Sequence, residues 1–248
     1  MTDAAKPMED HVLVEVTVPA PADAVWAALR DPAQIKNWFG WDADALADEI
    51  DFIFITHAEA DEARRTVTFV GVNDRYEVEA TGDATSVVRV VRSAPAGDWS
   101  DVFDGMIEGW ISFTHQLAFA FARHPGETRR TIFFSGPPRE DQLGRSVLGL
   151  AAAPAPGEPW SMPLGPETDA SGEVWFTARH QIGVTVEAWG DGLLVVLDSP
   201  PKEDKRPRGA TMLTLTTYGL SDLAFADLEA RWKAWWDARF ENAAPHES

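Results

Sequence analysis

The chain contains no cysteine. Disulfide bonds, thiolate nucleophiles and zinc sites built on cysteine are therefore excluded. Tyrosine is also scarce, with 2 residues against 11 tryptophans and 13 phenylalanines, so most of the aromatic rings suit cores and apolar pockets. The glycine-rich phosphate-binding motifs and the Gly-x-Ser-x-Gly nucleophile elbow are absent as well. The sequence gives no support for nucleotide binding or for a hydrolase of the nucleophile-elbow type.

Basic residues are few, with 21 Lys and Arg against 40 Asp and Glu, and the formal net charge is −19. Nucleic acids and anionic lipid surfaces are bound through a basic footprint, so we expect neither as a partner. No apolar run approaches the ~18 residues of a membrane span. Residues 1–10 are polar and acidic and lack the apolar segment of a signal peptide. These features predict a cytoplasmic protein without a membrane span.

One helical pattern occurs twice. The spacing Phe-x-x-Met/Leu-x-x-x-Trp is found at 103–110 and again at 225–232, and each copy opens a long segment with apolar residues at helical spacing. Each copy also follows a strand-like run, at 86–93 and at 211–218. An internal repeat of this kind indicates two similar units rather than one large domain.

The repeat predicts two α+β domains, residues 1–126 and 127–248. Each half contains a strand, one or two short helices, several antiparallel strands and a long C-terminal helix. Because an amphipathic helix and a one-faced sheet bury their apolar faces against each other, we expect each sheet to grip its last helix. The predicted strands are 12–18, 50–56, 66–72, 75–80, 86–93, 131–135, 173–178, 183–188, 193–198 and 211–218. The predicted helices are a first one between Pro21 and Pro32, then 33–38, 100–123, 139–150 and 222–242, with 151–166 interpreted as a loop.

The first half resembles a known superfamily. Residues 14–29, Val-x-Val-x-Val-Pro-Ala-Pro-Ala-Asp-Ala-Val-Trp-Ala-Ala-Leu, look like the opening strand and helix of the START-like (SRPBCC) superfamily. Residues 37–39, Asn-Trp-Phe, and 108–110, Glu-Gly-Trp, are similar to the branch named for activators of Hsp90 ATPase. The second half keeps the opening strand and helix and the closing helix with Trp232. It lacks the Trp-Phe pair and has Arg231 where a glycine is expected, so it resembles a degenerate copy.

The resemblance implies a helix-grip fold, in which a curved antiparallel sheet wraps around the C-terminal helix and leaves a cavity between them. Members of the superfamily bind lipids, polyketides, plant hormones or other apolar small molecules. Some cyclise polyketides, and a few act on protein partners. Fold alone does not decide among these functions.

Candidate ligand-binding residues follow from the helix, the strands and the aromatic cluster after the second short helix of the first half. Core packing and capping of the sheet remain open as the alternative role for the aromatic residues. No catalytic residue, metal ligand or cofactor is predicted, and His57 is interpreted as the end of a strand before a solvated acidic turn. The predicted ligand-binding residues are Trp38, Phe39, Tyr76, Trp110, Phe113, His115 and Leu117.

These observations favour a non-catalytic protein that binds an apolar or aromatic small molecule in its first half. The first alternative is an aromatase/cyclase-like enzyme acting on polyketide-type substrates, which would use His115 or Arg75 to move protons. The second alternative is a protein-interaction or stress-related module, which a large apolar surface patch would favour. The identity of the ligand, the role of the second half and the oligomeric state stay open at this stage.

Overall fold

The computed structural model describes residues 7–95, 103–203 and 206–242. The chain divides into two compact units, Met1–Glu127 and Thr128–Ser248. Each unit has its own antiparallel sheet and its own long C-terminal helix. The predicted α+β fold with one helix-gripping sheet in each half is confirmed.

The first unit is built on a five-stranded sheet in the order β1-β5-β4-β3-β2, and all of its neighbouring strands are antiparallel. Its strands are β1 (Met8–Val18), β2 (Ala58–Asp61), β3 (Thr66–Phe69), β4 (Asp74–Gly82) and β5 (Thr85–Pro95). Its helices are α1 (Ala22–Arg30), α2 (Pro32–Ile35), α3 (Leu46–Ile50) and α4 (Gly105–Arg123). The first helix ends at the residue before Asp31-Pro32, because proline disfavours a helical conformation in its predecessor.

The strand predicted at 50–56 is wrong, because this segment is helical. Helix α3 continues directly into a π-helical segment, Asp51–Thr56. The buried side chains Leu46, Ile50 and Phe54 are four residues apart, which is the spacing of one helix face. Phe52 is 58% exposed, although an alternating strand would have buried it together with Phe54. The β-branched and aromatic composition of the segment suggested a strand, and burial at helical spacing overrides that preference.

Helix α4 packs its apolar face against the sheet. The side chain of Asp104 accepts a hydrogen bond from the backbone N–H of Met106 at 2.8 Å and caps the helix. The Trp110 ring stacks on Phe69 of β3, with 4.8 Å between the ring centroids. The predicted start of this helix at residue 100 lies outside the described residues. The described helix therefore carries the repeated tryptophan in its second turn, where it faces the sheet.

The second unit has a six-stranded antiparallel sheet in the order β6-β11-β10-β9-β8-β7. Its strands are β6 (Arg130–Gly136), β7 (Pro159–Leu164), β8 (Glu167–Thr177), β9 (Gln181–Val186), β10 (Gly192–Ser199) and β11 (Ala210–Thr217). Its helices are α5 (Gly144–Val147) and α6 (Asp222–Asp237), with short 3-10 turns at Leu150–Ala152 and Glu187–Trp189. None of the helices in the described part of either unit is long and apolar enough to cross a membrane.

The loop predicted at 151–166 is wrong in its second part, which forms strand β7. Trp160 and Leu164 of this strand are buried in the core of the unit. The helix predicted at 139–150 shortens to α5, because Gly149 takes a left-handed conformation (φ 73°) that ends it. Prolines and glycines around β7 obscured a strand that contributes two large side chains to the core.

Candidate functional site

The first unit contains a cavity of about 510 Å³ between the start of α4, the helical segment 46–56 and β3. This volume is within the range of pockets that hold small-molecule ligands. Most of the side chains around it are apolar. It is lined by Phe39, Glu49, Phe52, Ile53, His57, Phe69, Val70, Val72, Gly105, Met106, Gly109, Trp110 and Phe113.

Helix α4 presents two glycines, Gly105 and Gly109, to the cavity. A Cβ atom added to Gly105 would meet nothing within 4 Å, and one added to Gly109 would contact only the Phe113 ring, at 3.5 Å. Glycine inside a helix is about 1 kcal/mol less favourable than alanine. Gly109 is therefore not required for packing within the unit, and together with Gly105 it leaves a strip of α4 backbone uncovered beside Met106, Trp110 and Phe113.

Aromatic rings that contact one another form part of the cavity wall. The Phe39 ring lies 4.8 Å from that of Phe113 and 4.9 Å from that of Phe54, measured between centroids. The Phe54 ring in turn meets Phe69 at 5.5 Å in an edge-to-face contact. Aromatic pairs at these separations and angles are mutually attractive. The rings of the cavity wall are therefore held in place by their neighbours, so the cavity is preformed.

A buried charged network lies behind Trp110. Asp74, at the start of β4, is fully buried and accepts two hydrogen bonds from Arg92, from Nε at 2.6 Å and from Nη2 at 2.8 Å. The Trp110 indole N–H donates to the same carboxylate at 2.8 Å. Arg92 also donates from Nη1 to Asp104, the residue that caps α4, at 2.8 Å. One bidentate ion pair thus connects the sheet, the cavity tryptophan and the first turn of the helix.

The network favours the charged forms of Arg92 and Asp104. The hydrogen bonds with Asp74 raise the pKa of Arg92 despite its burial. Burial also acts to raise the pKa of Asp104, but the hydrogen bonds from Arg92 and from the helix backbone prevail and lower it. Charges held by this many hydrogen bonds fix the side chains that make them. The network therefore positions Trp110 and the glycine-bearing end of α4 relative to the sheet.

Two polar side chains, Glu49 and His57, line the otherwise apolar cavity. Partial burial of the Glu49 carboxyl raises its pKa. The Nδ1 atom of His57 lies 3.0 Å from the backbone carbonyl oxygen of Phe52, and the two rings are 3.9 Å apart. A carbonyl only accepts, so Nδ1 carries the proton and Nε2 of the neutral ring is an acceptor. Both side chains thus offer hydrogen-bond acceptors.

Three of the residues predicted from the sequence, Phe39, Trp110 and Phe113, line this cavity. Trp38 and Leu117 instead line a second pocket of about 380 Å³ in the same unit. Trp38 is fully buried and donates its indole N–H to the backbone oxygen of Ala28 at 2.9 Å. This places Trp38 in the packing of α1 against the sheet.

The other predicted residues line neither of these two pockets. Tyr76 is fully buried, shares a hydrogen bond with Thr114 at 3.0 Å, and has its pKa raised by burial. His115 is half-buried on α4, and burial lowers its pKa to about 4. Arg75, suggested for the cyclase alternative, forms ion pairs with Asp10 at 2.6 Å and with Glu77 at 2.7 Å.

The sequence reasoning missed Glu49, Phe52 and His57. Phe52 lies in the helical segment that was predicted as the strand 50–56, Glu49 directly precedes that segment and His57 directly follows it. Glu49 and Phe52 are three residues apart and lie on neighbouring helical turns, and His57 directly follows the last turn. The sequence signal that could have indicated this helix was the four-residue spacing of the apolar residues Leu46, Ile50 and Phe54.

The interior of the second unit is filled with tryptophans. Trp232, the repeated tryptophan of α6, is fully buried and lies 5.4 Å from the Trp189 ring and 5.5 Å from the Trp235 ring. Trp236 on the same helix stacks on Phe134, with 5.4 Å between centroids. These large rings occupy the space between α6 and its sheet.

Arg231 stands in α6 at the position that corresponds to Gly109. Its guanidinium pairs with Glu167 at 3.1 Å and with Asp227. The Trp232 indole N–H donates to the same Glu167 carboxylate at 3.1 Å. The second unit therefore repeats the arrangement of tryptophan, carboxylate and arginine, but it takes the arginine from the helix itself.

Among the described residues no group of three or more His, Asp or Glu side chains is arranged to hold a metal ion. No protein-family model matches the chain, and no curated protein matches it. Two solved structures to which it is similar are di-domain ARO/CYC proteins. One is BexL from the BE-7585A biosynthetic pathway, with 13% identity, a TM-score of 0.34, and coverage of 96% of this chain and 100% of that one. The other is StfQ from the steffimycin biosynthetic pathway, with 13% identity, a TM-score of 0.32, and coverage of 90% of each chain.

Proposed function

We propose that the first unit binds an apolar, aromatic small molecule in the 510 Å³ cavity. The observation that carries this proposal is the combination of a preformed aromatic wall with a bare glycine surface on α4. Three of the exposed large apolar side chains in the described part of the chain, Phe52, Val70 and Met106, also line this cavity. Exposed apolar surface marks interaction sites, and here it surrounds the opening of a pocket.

The START-like resemblance of residues 14–29, 37–39 and 108–110 supports the same class of ligand. We assign both units to this superfamily, with the domain boundary at residues 126/127, and the first unit to the branch named for activators of Hsp90 ATPase. The second unit has a structural role in this proposal, because tryptophan rings fill its interior.

Titration with a neutral fluorescent probe tests the proposal. N-phenyl-1-naphthylamine is expected to bind one site, and a probe at 100 times its dissociation constant stabilises the folded protein by about 2.7 kcal/mol. The variant Gly109→Phe projects a ring into the cavity and is expected to abolish binding. Gly109→Ala is the matched control, since its Cβ makes an ordinary contact with Phe113 and alanine favours the helix.

The control separates blocked binding from misfolding. Both variants are expected to unfold at or above the wild-type temperature, because neither Cβ meets backbone. Saturable probe binding that persists unchanged in Gly109→Phe would place the site elsewhere. Absence of saturable binding in the wild-type protein would refute the proposal.

A cyclase-like enzyme is the second candidate, and one observation favours it. The cavity contains two ionisable side chains, Glu49 and His57, and general acid–base catalysis needs such groups beside the reacting atoms. With Nδ1 donating to the Phe52 carbonyl, Nε2 is the His57 atom that would remove a proton next to a carbonyl group. The two functions are distinguished by whether a bound ketone exchanges its α-hydrogens with solvent.

A further inference from the structure

The polar side chains of the cavity share one hydrogen-bonding character. Glu49, when ionised, has only acceptor oxygens. In His57 the proton is held on Nδ1 by the Phe52 carbonyl at 3.0 Å, so the remaining ring nitrogen accepts. Within the described residues, no group forms a hydrogen bond with Nε2 of His57. The ring is only half-buried, so this acceptor is accessible.

The described lining of the cavity contains no Lys or Arg side chain that could pair with an anionic ligand. The N-terminus of α4, which also borders the cavity, is already capped by the carboxylate of Asp104. A carboxylate or phosphate entering the cavity would thus lose its water without gaining a positive partner, and such burial is strongly unfavourable.

The shape of the cavity favours a flat molecule. Gly105 and Gly109 leave a narrow strip of α4 backbone uncovered between the lining side chains Met106, Trp110 and Phe113. The lining also contains the rings of Phe39 and Phe52. A planar aromatic ring can lie against bare helix backbone on one face and make ring contacts on its other face or edges.

We infer that the ligand is an uncharged, planar aromatic molecule whose hydroxyl group donates a hydrogen bond to Nε2 of His57. This inference rests on the proposed binding function and specifies its ligand class. The apolar lining supplies affinity for the ring system, and His57 supplies the orientation. A molecule of the same size without the hydroxyl loses that orienting contact.

Matched probes test the inference by displacement of N-phenyl-1-naphthylamine at pH 7. We expect 2-naphthol to bind wild type about 3- to 10-fold more tightly than 2-methoxynaphthalene, which has no donor. We expect 2-naphthoate to bind most weakly, since it carries a charge. In His57→Phe, which keeps the ring contact with Phe52, 2-naphthol should bind no better than 2-methoxynaphthalene. His57→Gln retains an acceptor and should recover part of the preference.

Binding of 2-methoxynaphthalene to both variants shows that the cavity is intact, so a lost preference cannot be ascribed to unfolding. Equal affinity of wild type for the two neutral probes would overturn the inference while leaving the binding function in place. Tightest binding of 2-naphthoate, or a full preference for 2-naphthol in His57→Phe, would also overturn it. Failure of both neutral probes to bind wild type would overturn the inference and the binding function together.

Discussion

Replacing Asp74 by alanine should destabilise the first unit strongly. This carboxylate is fully buried and accepts three hydrogen bonds, two from Arg92 and one from Trp110. Its removal leaves a guanidinium with a side chain that is only 12% exposed, and an indole N–H, without these partners. The consequences extend to the cavity, because the same network positions Trp110 and the first turn of α4.

The expected loss is about 3–4 kcal/mol. Removing one partner of a buried ion pair costs about 3–5 kcal/mol, because the remaining charge stays desolvated. Arg92 keeps its contact with Asp104 at 2.8 Å, which places the expectation in the lower part of that range. Since native domains are stable by about 5–15 kcal/mol, such a loss is a large share of the total.

Urea unfolding followed by tryptophan fluorescence measures the effect, with Glu79→Ala as the matched control. Glu79 also lies on β4 and pairs with an arginine, Arg89, at 2.6 Å. Arg89 likewise keeps a second carboxylate, that of Glu15. Glu79 is 60% exposed, so its loss should change stability by only about 0–1 kcal/mol. In both variants an arginine loses one of two carboxylate partners, and the comparison measures what burial and the additional hydrogen bonds of Asp74 contribute.

A loss of less than about 1 kcal/mol in Asp74→Ala, the size expected of an exposed pair, would refute the reasoning. So would equal losses in the two variants, because neither burial nor the additional hydrogen bonds of Asp74 would then contribute to stability. Binding of N-phenyl-1-naphthylamine gives an independent readout, and a folded Asp74→Ala protein should bind it more weakly because Trp110 is no longer anchored.

Two further predictions concern acid stability and the packing of the second unit. Burial holds the pKa of His115 at about 4, below its usual 6.5, so between these pH values the unfolded chain binds a proton that the folded chain does not. As the pH is lowered through this window, the free energy of unfolding should therefore decrease by about 2–3 kcal/mol. His115→Gln should remove this decrease, which is measured by comparing urea midpoints at pH 7 and pH 4.5. Gly165→Ala should destabilise more than Gly157→Ala by about 1–3 kcal/mol, because both have positive φ but only Gly165 would place its Cβ 2.9 Å from the Trp232 ring. Equal urea midpoints for the two glycine variants would show that the ring moves aside freely.

The order of the main elements could be predicted from the sequence because the signals were local. Alternating residues fix β1, the turn residues separate β4 from β5, and the helical spacing of apolar residues fixes α4 and α6. Each of these signals depends on a short stretch of chain and on which face is buried. Their agreement in both halves is what made the two-unit α+β fold predictable.

The cavity was only partly predictable because it depends on tertiary contacts. Phe39 and Trp110 belong to the short motifs that carry the resemblance, and Phe113 was found through the helical spacing of apolar residues in α4. Glu49 and His57 depend on a helical segment whose residues, Phe-Ile-Phe-Ile, favour a strand locally. No property of the sequence around Asp74 indicated that its carboxylate would meet Arg92 and Trp110.

The difference between the two units follows from where each obtains its arginine. Both place the repeated tryptophan against a carboxylate at the first residue of a strand, Asp74 in β4 and Glu167 in β8. In the first unit the arginine that neutralises this carboxylate comes from the sheet, from β5. In the second it comes from the helix, as Arg231.

The origin of the arginine determines which residue can stand before the tryptophan on the helix surface. When the arginine comes from the sheet, as Arg92 does, the residue before the tryptophan does not have to neutralise the carboxylate. Glycine is then tolerated at that position, and Gly109 leaves the helix backbone uncovered there. A helix arginine occupies that position, and the glycine surface cannot form. Replacing Gly109 by arginine would therefore give the first unit the helix surface of the second, which is why we place ligand binding in the first unit alone.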